Sequence, residues 1–445
     1  MNKIIKTIEN KKITILGAGL SGKAASNLAN HLGAKVILID NNKNINKKNL
    51  SNKIQAYFGS YPKKCFNSDL VIVSPGIDCK KNKLIKKIEE NKIPIISEIE
   101  FASWFTRSKI IAITGSNGKS TAVNMLGEIF KINFQNTMIG GNIGTPFSEN
   151  VLIELQKKLN NVIHILEISS YQLEKTYFFK PQISCILNIS KDHLSRYRSY
   201  SEYYNTKFKI FNKNKLFYNG NDEILNKQFL NKKNTVDFSL KNNNVFIVTN
   251  NEIINKENKK NIKLSKIQLL GDHNLENIFA VLSIANEMNI DVNKAKNIIY
   301  NFKSLKHRME IIKRSPLIIN DSKSTNLQSC KVAINSFKKN ITLILGGFSK
   351  DKLEYQDIIN IINNDKIKRV VCYGQVGEKI HLKIKKYKSS FFNYELNKTI
   401  IYTLKKIGLN DILLFSPGFK SFDQFNNFEE RGDAFKNQIE KFYKK

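Results

Sequence analysis

The sequence predicts an α/β protein of three domains, each built around a largely parallel β-sheet. Short apolar bursts that are typical of buried strands recur along the chain, and stretches with a helical pattern separate them. This alternation restarts twice, near residues 106 and 306. At roughly 150 residues per domain, a chain of 445 residues has room for about three. We therefore expect domains at 1–105, 106–305 and 306–445.

The predicted strands form one group in each domain. The first group is KITILGAG (11–19), KVILID (35–40) and DLVIVSPG (69–76), and the second is KIIAITGS (109–116), VIHILEISS (162–170) and ISCILNIS (183–190). The third is LIIND (317–321), ITLILGG (341–347), RVVCYG (369–374) and DILLFSPG (411–418). Asn and Lys dominate between 212 and 265, and we expect loops or surface hairpins there.

The formal net charge of +34 is the most extreme feature of the composition. Clustered basic residues would indicate nucleic acid, but these lysines are spread along the chain among Asn and Ile, the residues that A/T-rich codons favour. We therefore expect no nucleic-acid partner.

No stretch approaches the roughly 18 apolar residues of a membrane helix, and no signal peptide is evident at the start, so we expect a cytoplasmic protein without membrane attachment. Five scattered cysteines suggest buried, reduced thiols.

A glycine-rich turn follows the first predicted strand. Gly17, Gly19 and Gly22, with Asp40 at the end of a strand about twenty residues later, match the fingerprint of a Rossmann-like nucleotide site. Such glycines let the backbone approach a diphosphate at a helix N-terminus. The pattern does not identify the nucleotide, and it leaves open an NAD-dependent oxidoreductase or a tight turn with no ligand.

A second glycine loop opens the second domain. Gly118, Lys119 and Ser120 lie between a predicted strand and an amphipathic helix, which is where a phosphate-binding loop needs backbone N–H groups, a lysine and a Mg²⁺-binding hydroxyl. Ile113 replaces the usual first glycine, so the loop is not a standard Walker A sequence. Glu167 ends the next strand of the group and is a candidate acid for Mg²⁺. A P-loop switch or transport ATPase would explain this loop, but not the third domain.

Further motifs extend over the rest of the chain. They are TGSNGKST (114–121), GGNIG (140–144), LEISSYQLE (166–174), LNISKDHLSRY (187–197), GDHNLEN (271–277), HRME (307–310), NDSKSTN (320–326), LGG (345–347) and SFDQFNNFEERG (421–432). In this order they resemble the Mur ligases throughout. NDSKSTN and SFDQFNNFEERG are most similar to the members that add D-glutamate to UDP-N-acetylmuramoyl-L-alanine. A sister ligase that adds a different amino acid is the nearest alternative.

The resemblance implies a Rossmann-like UDP-binding domain, a central P-loop-type ATPase domain and a C-terminal Rossmann-like domain that binds the amino acid. Leu20 and Ser21 would contact the diphosphate, Asp40 and Asn41 the uracil, and Asn142 the muramoyl-alanine part. ATP would be bound by Gly115, Ser116, Asn117, Gly118, Lys119, Ser120, Thr121, Asn277, Arg308 and Asp321. D-glutamate would be bound by Thr325, Lys350, Ser421 and the backbone of Phe428. The catalytic residues would be Lys119, His193, Lys207, Lys323 and Lys350.

The resemblance also implies two Mg²⁺ ions, one on Ser120 and Glu167 and one on His193 and a carbamylated lysine. The register of NTKFKIF favours Lys207 for that lysine, with Lys209 as the alternative. An unmodified ammonium has no lone pair for a metal, so the lysine must carry the carbamate. The implied reaction has two steps, in which ATP activates the substrate carboxylate as an acyl phosphate and the amine of D-glutamate then displaces phosphate. We expect a monomer.

Overall fold

The computed structural model describes residues 8–192, 196–240, 245–338, 340–349, 353 and 355–444. Helices alternate with strands in mainly parallel sheets, so the predicted α/β class is confirmed. The chain divides into two compact units. The first extends to residue 264 and includes 276–299, and the second comprises 265–275 and the part of the chain from 300 onwards. The division into three domains after residues 105 and 305 stays a prediction.

The first sheet has five parallel strands in the order β3-β2-β1-β4-β5. Its strands are β1 (Lys12–Leu16), β2 (Lys35–Asp40), β3 (Gln55–Phe58), β4 (Leu70–Val73) and β5 (Ile95–Ser97), and its helices are α1 (Leu20–His31), α2 (Lys83–Glu90) and α3 (Glu98–Ser103). The glycine-rich turn connects β1 to α1. This turn therefore lies at the carboxyl edge of the sheet, beside the end of β2.

The second sheet has six parallel strands in the order β11-β10-β9-β6-β8-β7. The strands are β6 (Lys109–Thr114), β7 (Thr137–Gly141), β8 (Ile163–Glu167), β9 (Ile183–Ile186), β10 (Lys215–Tyr218) and β11 (Thr235–Asp237). The helices are α4 (Lys119–Lys131), α5 (Phe147–Gln156), α6 (Ser170–Leu173), α7 (Tyr200–Phe208) and α8 (Glu223–Phe229). Because β6 pairs with both β8 and β9, the loops that follow these three strands are neighbours.

A small antiparallel sheet and two helices follow. The sheet comprises β12 (Phe246–Thr249), β13 (Glu252–Asn255) and β14 (Asn261–Lys263), and the helices are α9 (Asp272–Glu287) and α10 (Val292–Asn301). The hairpins expected in this part of the chain are therefore confirmed. The expectation of loops is wrong for β10, α8 and β11, whose short apolar runs are hidden among Asn and Lys.

The last sheet has the order β15-β16-β20-β17-β18-β19, and only β15 is antiparallel to its neighbour. The strands are β15 (Glu310–Arg314), β16 (Leu317–Asn320), β17 (Ile341–Gly346), β18 (Ile367–Tyr373), β19 (Ser390–Asn393) and β20 (Ile412–Gly418). The helices are α11 (Leu327–Asn335), α12 (Tyr355–Ile362), α13 (Gly374–Ile384), α14 (Leu396–Leu404) and α15 (Phe428–Tyr443).

Central strands are buried on both faces, which explains why their sequences are continuous apolar runs. On β17, Leu343 and Leu345 pack into one apolar cluster and Ile344 into another on the opposite face. All ten strands predicted from such runs are confirmed. Of the strands in the three large sheets that the sequence analysis missed, β10 is central and the other six lie at sheet edges. In β3, β7, β11, β15 and β19 most residues are only partly buried or exposed, whereas the three residues of β5 are buried.

Four of the five cysteines are buried, as expected, and Cys79 is partly exposed. In the part of the chain that the structure describes, no helix combines the length and the apolar character needed to span a membrane.

Glu100 in α3 is a buried carboxylate that organises the backbone after α6. It accepts hydrogen bonds from three consecutive N–H groups, those of Tyr177, Phe178 and Phe179, at 2.8–3.0 Å. The indole Nε1 of Trp104 donates a further bond of 2.9 Å. Glu100 therefore ties α3, which follows the first sheet, to a loop of the second.

We predict that Glu100→Ala lowers the free energy of unfolding by about 2 kcal/mol or more, because several N–H groups lose their acceptor. Urea unfolding followed by the fluorescence of Trp104, the only tryptophan of the chain, measures the change. Glu90→Ala, at an exposed position of α2, is the matched control. Equal unfolding free energies for the two variants would contradict this role of Glu100.

Candidate active site

The loop between β6 and α4 depends on glycine backbone geometry. Gly115 has φ +153° and Gly118 has φ +82°, both in the region that side chains rarely tolerate. Gly118 is the N-cap of α4 and provides no side-chain cap. The N-terminus of α4, with the positive end of its helix dipole, is therefore suited to an anion.

This loop is joined to the residues that follow β9. The N–H of Ser116 donates to the carbonyl of Asn188 at 2.9 Å, and the N–H of Asn117 donates to Oδ1 of Asn188 at 2.9 Å. The Asn188 amide donates back to the Asn117 carbonyl at 3.1 Å. Ser116 Oγ further accepts the N–H of Ser190 and contacts the Tyr203 hydroxyl, each at 2.9 Å. Asn188 and Tyr203 were not predicted as site residues, although Asn188 lies inside a motif that the sequence analysis noted.

Two predicted Mg²⁺ ligands come together at this edge. Ser120 Oγ donates to Oε2 of Glu167 at 2.5 Å, and both residues are 2% exposed. The amide of Asn142 donates to Oε1 of Glu167 at 2.8 Å. A hydroxyl and a carboxylate are hard oxygen donors of the kind that Mg²⁺ prefers, so this pair fits the ion.

Lys119 folds back over the loop that precedes it. Its Nζ donates to the carbonyls of Gly115 at 2.7 Å and Ser116 at 2.9 Å. The ammonium therefore lies where the loop's N–H groups and α4 begin, which is suitable for contact with phosphate oxygens.

Lys207 on α7 reaches the same loop from a buried position. It is 2% exposed, and its Nζ donates to the Gly115 carbonyl at 2.9 Å. Burial is the main reason that the pKa of Lys207 lies well below its ordinary value, and the positive charge of Lys119 lowers it further. The negative charges of Asp192 and Glu167 partly oppose this shift. The lowered pKa favours the neutral amine.

Lys209, the alternative to Lys207, lies on the other side of the same segment. It is exposed at the C-cap of α7, and its Nζ donates to the Glu174 carbonyl at 2.9 Å. The structure therefore brings Lys207, rather than Lys209, to the glycine loop. His193, the other predicted ligand of the second ion, lies outside the described residues.

Asn277 on α9 packs directly against the glycine loop. A Cβ added at Gly118 would lie 2.3 Å from Oδ1 of Asn277, so the close approach requires glycine there. This contact brings one predicted adenine-binding residue to the phosphate loop. Arg308 and Asp321, which are predicted to bind the phosphate and the ribose of ATP, belong to the second compact unit.

Two cavities lie near the end of β2. The larger, of about 460 Å³, is lined by Asn41, Tyr61, Ile77, Asp78, Lys81, Asn82, Lys83 and Leu84. The smaller, of about 100 Å³, shares several of these residues and includes Gly17 of the turn after β1 and Asp40. The Tyr61 hydroxyl donates to Oδ1 of Asn41. The carboxylate of Asp40 accepts hydrogen bonds from the N–H groups of Ala18 at 2.7 Å and Asn42 at 2.8 Å, so it joins the glycine turn to the end of β2. Leu20 and Ser21 are the first two residues of α1, whose N-cap is Gly19. Leu20 is 76% exposed. The N–H groups at the start of a helix suit a diphosphate.

In the second unit, Asp321 follows β16 and is buried. Burial raises the pKa of Asp321 to about 7, although hydrogen bonds from Ser416 and Met309 and the charges of Arg308 and Arg431 act in the opposite direction. Ser416 Oγ donates to Oδ2 at 2.8 Å, and the N–H of Met309 donates to Oδ1 at 3.2 Å. These bonds tie the HRME segment to the end of β16.

The predicted D-glutamate residues gather at the carboxyl edge of the last sheet. Lys323 and Thr325 follow β16, and Ser421 follows the adjacent strand β20. Phe428 begins α15, and the Nζ of Lys323 lies 4.3 Å from the centroid of its ring. Lys350 lies outside the described residues.

Comparisons with known proteins agree with these features. Residues 113–285 match the Mur ligase middle domain, and residues 11–97 match the Mur ligase MurD-like N-terminal domain. A protein of Buchnera aphidicola subsp. Acyrthosiphon pisum (strain Tuc7) is 40% identical over 96% of this chain and 97% of its own length. One of Thermoanaerobacter sp. (strain X514) is 33% identical over 97% and 98%. Both are named UDP-N-acetylmuramoylalanine–D-glutamate ligase.

Solved structures of low identity share the fold. MurF from Acinetobacter baumannii has a TM-score of 0.62 at 13% identity and covers 98% of this chain and 92% of its own. UDP-N-acetylmuramate-alanine ligase MurC from Thermotoga maritima has a TM-score of 0.59 at 17% identity, with 98% and 99% covered. Together with the domain matches and the relatives at 33–40% identity, these results show that the chain belongs to the Mur ligase family.

Proposed function

We propose that the chain is an ATP-dependent ligase that forms the amide bond between UDP-N-acetylmuramoyl-L-alanine and D-glutamate, in the synthesis of peptidoglycan precursors. The observation that carries the proposal is the meeting of Lys119, Ser120 and Glu167 at one sheet edge, in a chain whose relatives at 33–40% identity are named for this activity. We further propose that it acts as a monomer in the cytoplasm.

In the first step, an oxygen of the alanine carboxylate attacks the γ-phosphorus of ATP, and ADP leaves. Lys119 and the open N–H groups of α4 neutralise charge on the transferring phosphoryl group, where positioning and electrostatics supply most of the catalysis. Asn277 beside Gly118 would bind the adenine, and Arg308 and Asp321 the phosphates and ribose. Asn142, hydrogen-bonded to Glu167, would orient the muramoyl-alanine part.

Two Mg²⁺ ions would be held by Ser120 with Glu167 and by His193 with carbamylated Lys207, and they would supply positive charge at the phosphate oxygens. The buried position of Lys207 supports its carbamylation, because a lowered pKa leaves more of the amine neutral and able to attack CO₂. The carbamate would replace a buried amine with an anion that has oxygen donors.

In the second step, the amine of D-glutamate attacks the carbonyl carbon of the acyl phosphate, loses a proton and expels phosphate. Lys323 and Lys350 would stabilise the negative charge that develops, and Thr325, Ser421 and the N–H of Phe428 would bind the D-glutamate carboxylates. The N-terminus of α15 supports this role of Phe428, since its first N–H groups favour an anion. The UDP part would lie at the first sheet, on Leu20, Ser21, Asp40 and Asn41.

We predict that phosphate release from ATP and UDP-N-acetylmuramoyl-L-alanine depends on D-glutamate. A coupled phosphate assay with D-glutamate, L-glutamate, L-alanine and a diamino acid in parallel measures this dependence. D-glutamate should give at least about 100-fold higher kcat/KM than the others, equivalent to about 2.7 kcal/mol. Dependence on another amino acid would identify the chain as a sister ligase and overturn the proposal.

We also predict that Lys207→Arg lowers kcat by at least about 100-fold, because arginine keeps the charge but cannot form the carbamate. Lys209→Arg, on the exposed side of α7, is the matched control and should retain near-normal activity. In ¹³C-bicarbonate, wild type and Lys209→Arg should show a carbamate carbon signal that Lys207→Arg lacks. A normal rate for folded Lys207→Arg, or the same signal in it, would exclude the assignment.

A further inference from the structure

Arg431 on α15 is a fully buried guanidinium to which neither the sequence motifs nor the proposed mechanism assigns a role. It is 0% exposed, and its described hydrogen bonds go to carbonyl and hydroxyl oxygens. A buried guanidinium is expensive to desolvate unless its donors are satisfied. The four described bonds use four of its five N–H donors and make the side chain a rigid link.

The four bonds join three segments of the last sheet. Nε donates to Ser322 Oγ at 3.0 Å, and Nη2 donates to the Ser322 carbonyl at 2.7 Å. Nη1 donates to the Phe419 carbonyl at 2.9 Å and to the Tyr373 hydroxyl at 3.2 Å. These acceptors follow β16, follow β20 and end β18, respectively. One side chain thus fixes the separation of neighbouring loops at the carboxyl edge.

The two loops held in this way carry the proposed D-glutamate contacts. Ser322 immediately precedes Lys323, and its Oγ also donates to the Phe428 carbonyl at 2.8 Å. Phe419 lies two residues before Ser421. A second link runs beside Arg431, because the N–H of Gly418 donates to the Ser324 carbonyl at 2.9 Å with Gly418 at φ +70°. The positions of Lys323, Ser421 and Phe428 relative to one another therefore depend on Arg431.

We propose that Arg431 is the positioning residue of the D-glutamate pocket: its guanidinium sets the spacing between the loop of Lys323 and Thr325 and the segment of Ser421 and Phe428. This inference rests on the proposed function. The planar guanidinium of an arginine donates to acceptors in several directions at once, whereas the ammonium of a lysine is a compact charge at the end of a flexible side chain.

Steady-state kinetics of Arg431→Lys test this role. We expect the KM for D-glutamate to rise about 10- to 100-fold, since hydrogen bonds to a charged group that keep the pocket in shape are lost. The KM values for ATP and for UDP-N-acetylmuramoyl-L-alanine should stay within about two-fold, and kcat should fall less than kcat/KM for D-glutamate. Arg369→Lys, at a partly exposed position of β18, is the matched control and should change none of these constants.

Ser322→Ala decides the question if Arg431→Lys does not fold. It removes only the hydroxyl that accepts from Arg431 and donates to Phe428, and it should raise the KM for D-glutamate about 2- to 10-fold. An unchanged KM for D-glutamate in either folded variant, or an equal rise in all three KM values, would overturn the inference. If the wild type does not depend on D-glutamate, the proposed function fails instead, so the two failures are distinguishable.

Discussion

The hydrogen bonds between the glycine loop and the end of β9 are the constraint on which the catalytic edge of the second sheet depends. Asn188 and Ser190 hold the loop of Ser116 and Asn117 at 2.9–3.1 Å, and the loop in turn sets where α4 begins. Ser120, in the first turn of α4, can then meet Glu167 on the neighbouring strand. The same loop gives its Gly115 carbonyl to two lysines, so Lys119 and Lys207 both lie beside the phosphate-binding loop.

Two buried basic side chains, Lys207 and Arg431, show how the surrounding residues determine the role that such a side chain can take. Lys207 has one described hydrogen-bond acceptor and the charge of Lys119 nearby, so its pKa falls and a neutral, reactive amine is favoured. Arg431 has four described acceptors and stays a fixed donor that joins loops. The first environment suits covalent modification and the second suits positioning. Neither property follows from the residue type alone.

The sequence predicted the α/β class and ten of the eleven central strands of the three large sheets, because burial on both faces leaves continuous apolar runs. It missed β10, whose short run lies among Asn and Lys, and the edge strands, which are either partly exposed or, as in β5, only three residues long. It identified Ser120 from the Gly-Lys-Ser loop before a helix and Glu167 from its place at the end of a parallel strand. It could not find Asn188 or Tyr203 as site residues, because their contacts with the loop are long-range hydrogen bonds. Arg431 could have been suspected, since only seven of the 72 basic residues are arginine and one of them is the second-last residue of the SFDQFNNFEERG motif.

The central claim is that ATP activates the substrate carboxylate before the amide bond forms. UDP-N-acetylmuramoyl-L-alanine labelled with ¹⁸O in both carboxylate oxygens, incubated with the full chain, ATP and D-glutamate, tests this claim by mass spectrometry of the released phosphate. An acyl phosphate transfers one carboxylate oxygen to phosphorus when the amine displaces phosphate, so each phosphate should carry one ¹⁸O and the amide product should retain the other. Phosphate without ¹⁸O would show that ATP is cleaved by water and would contradict the account.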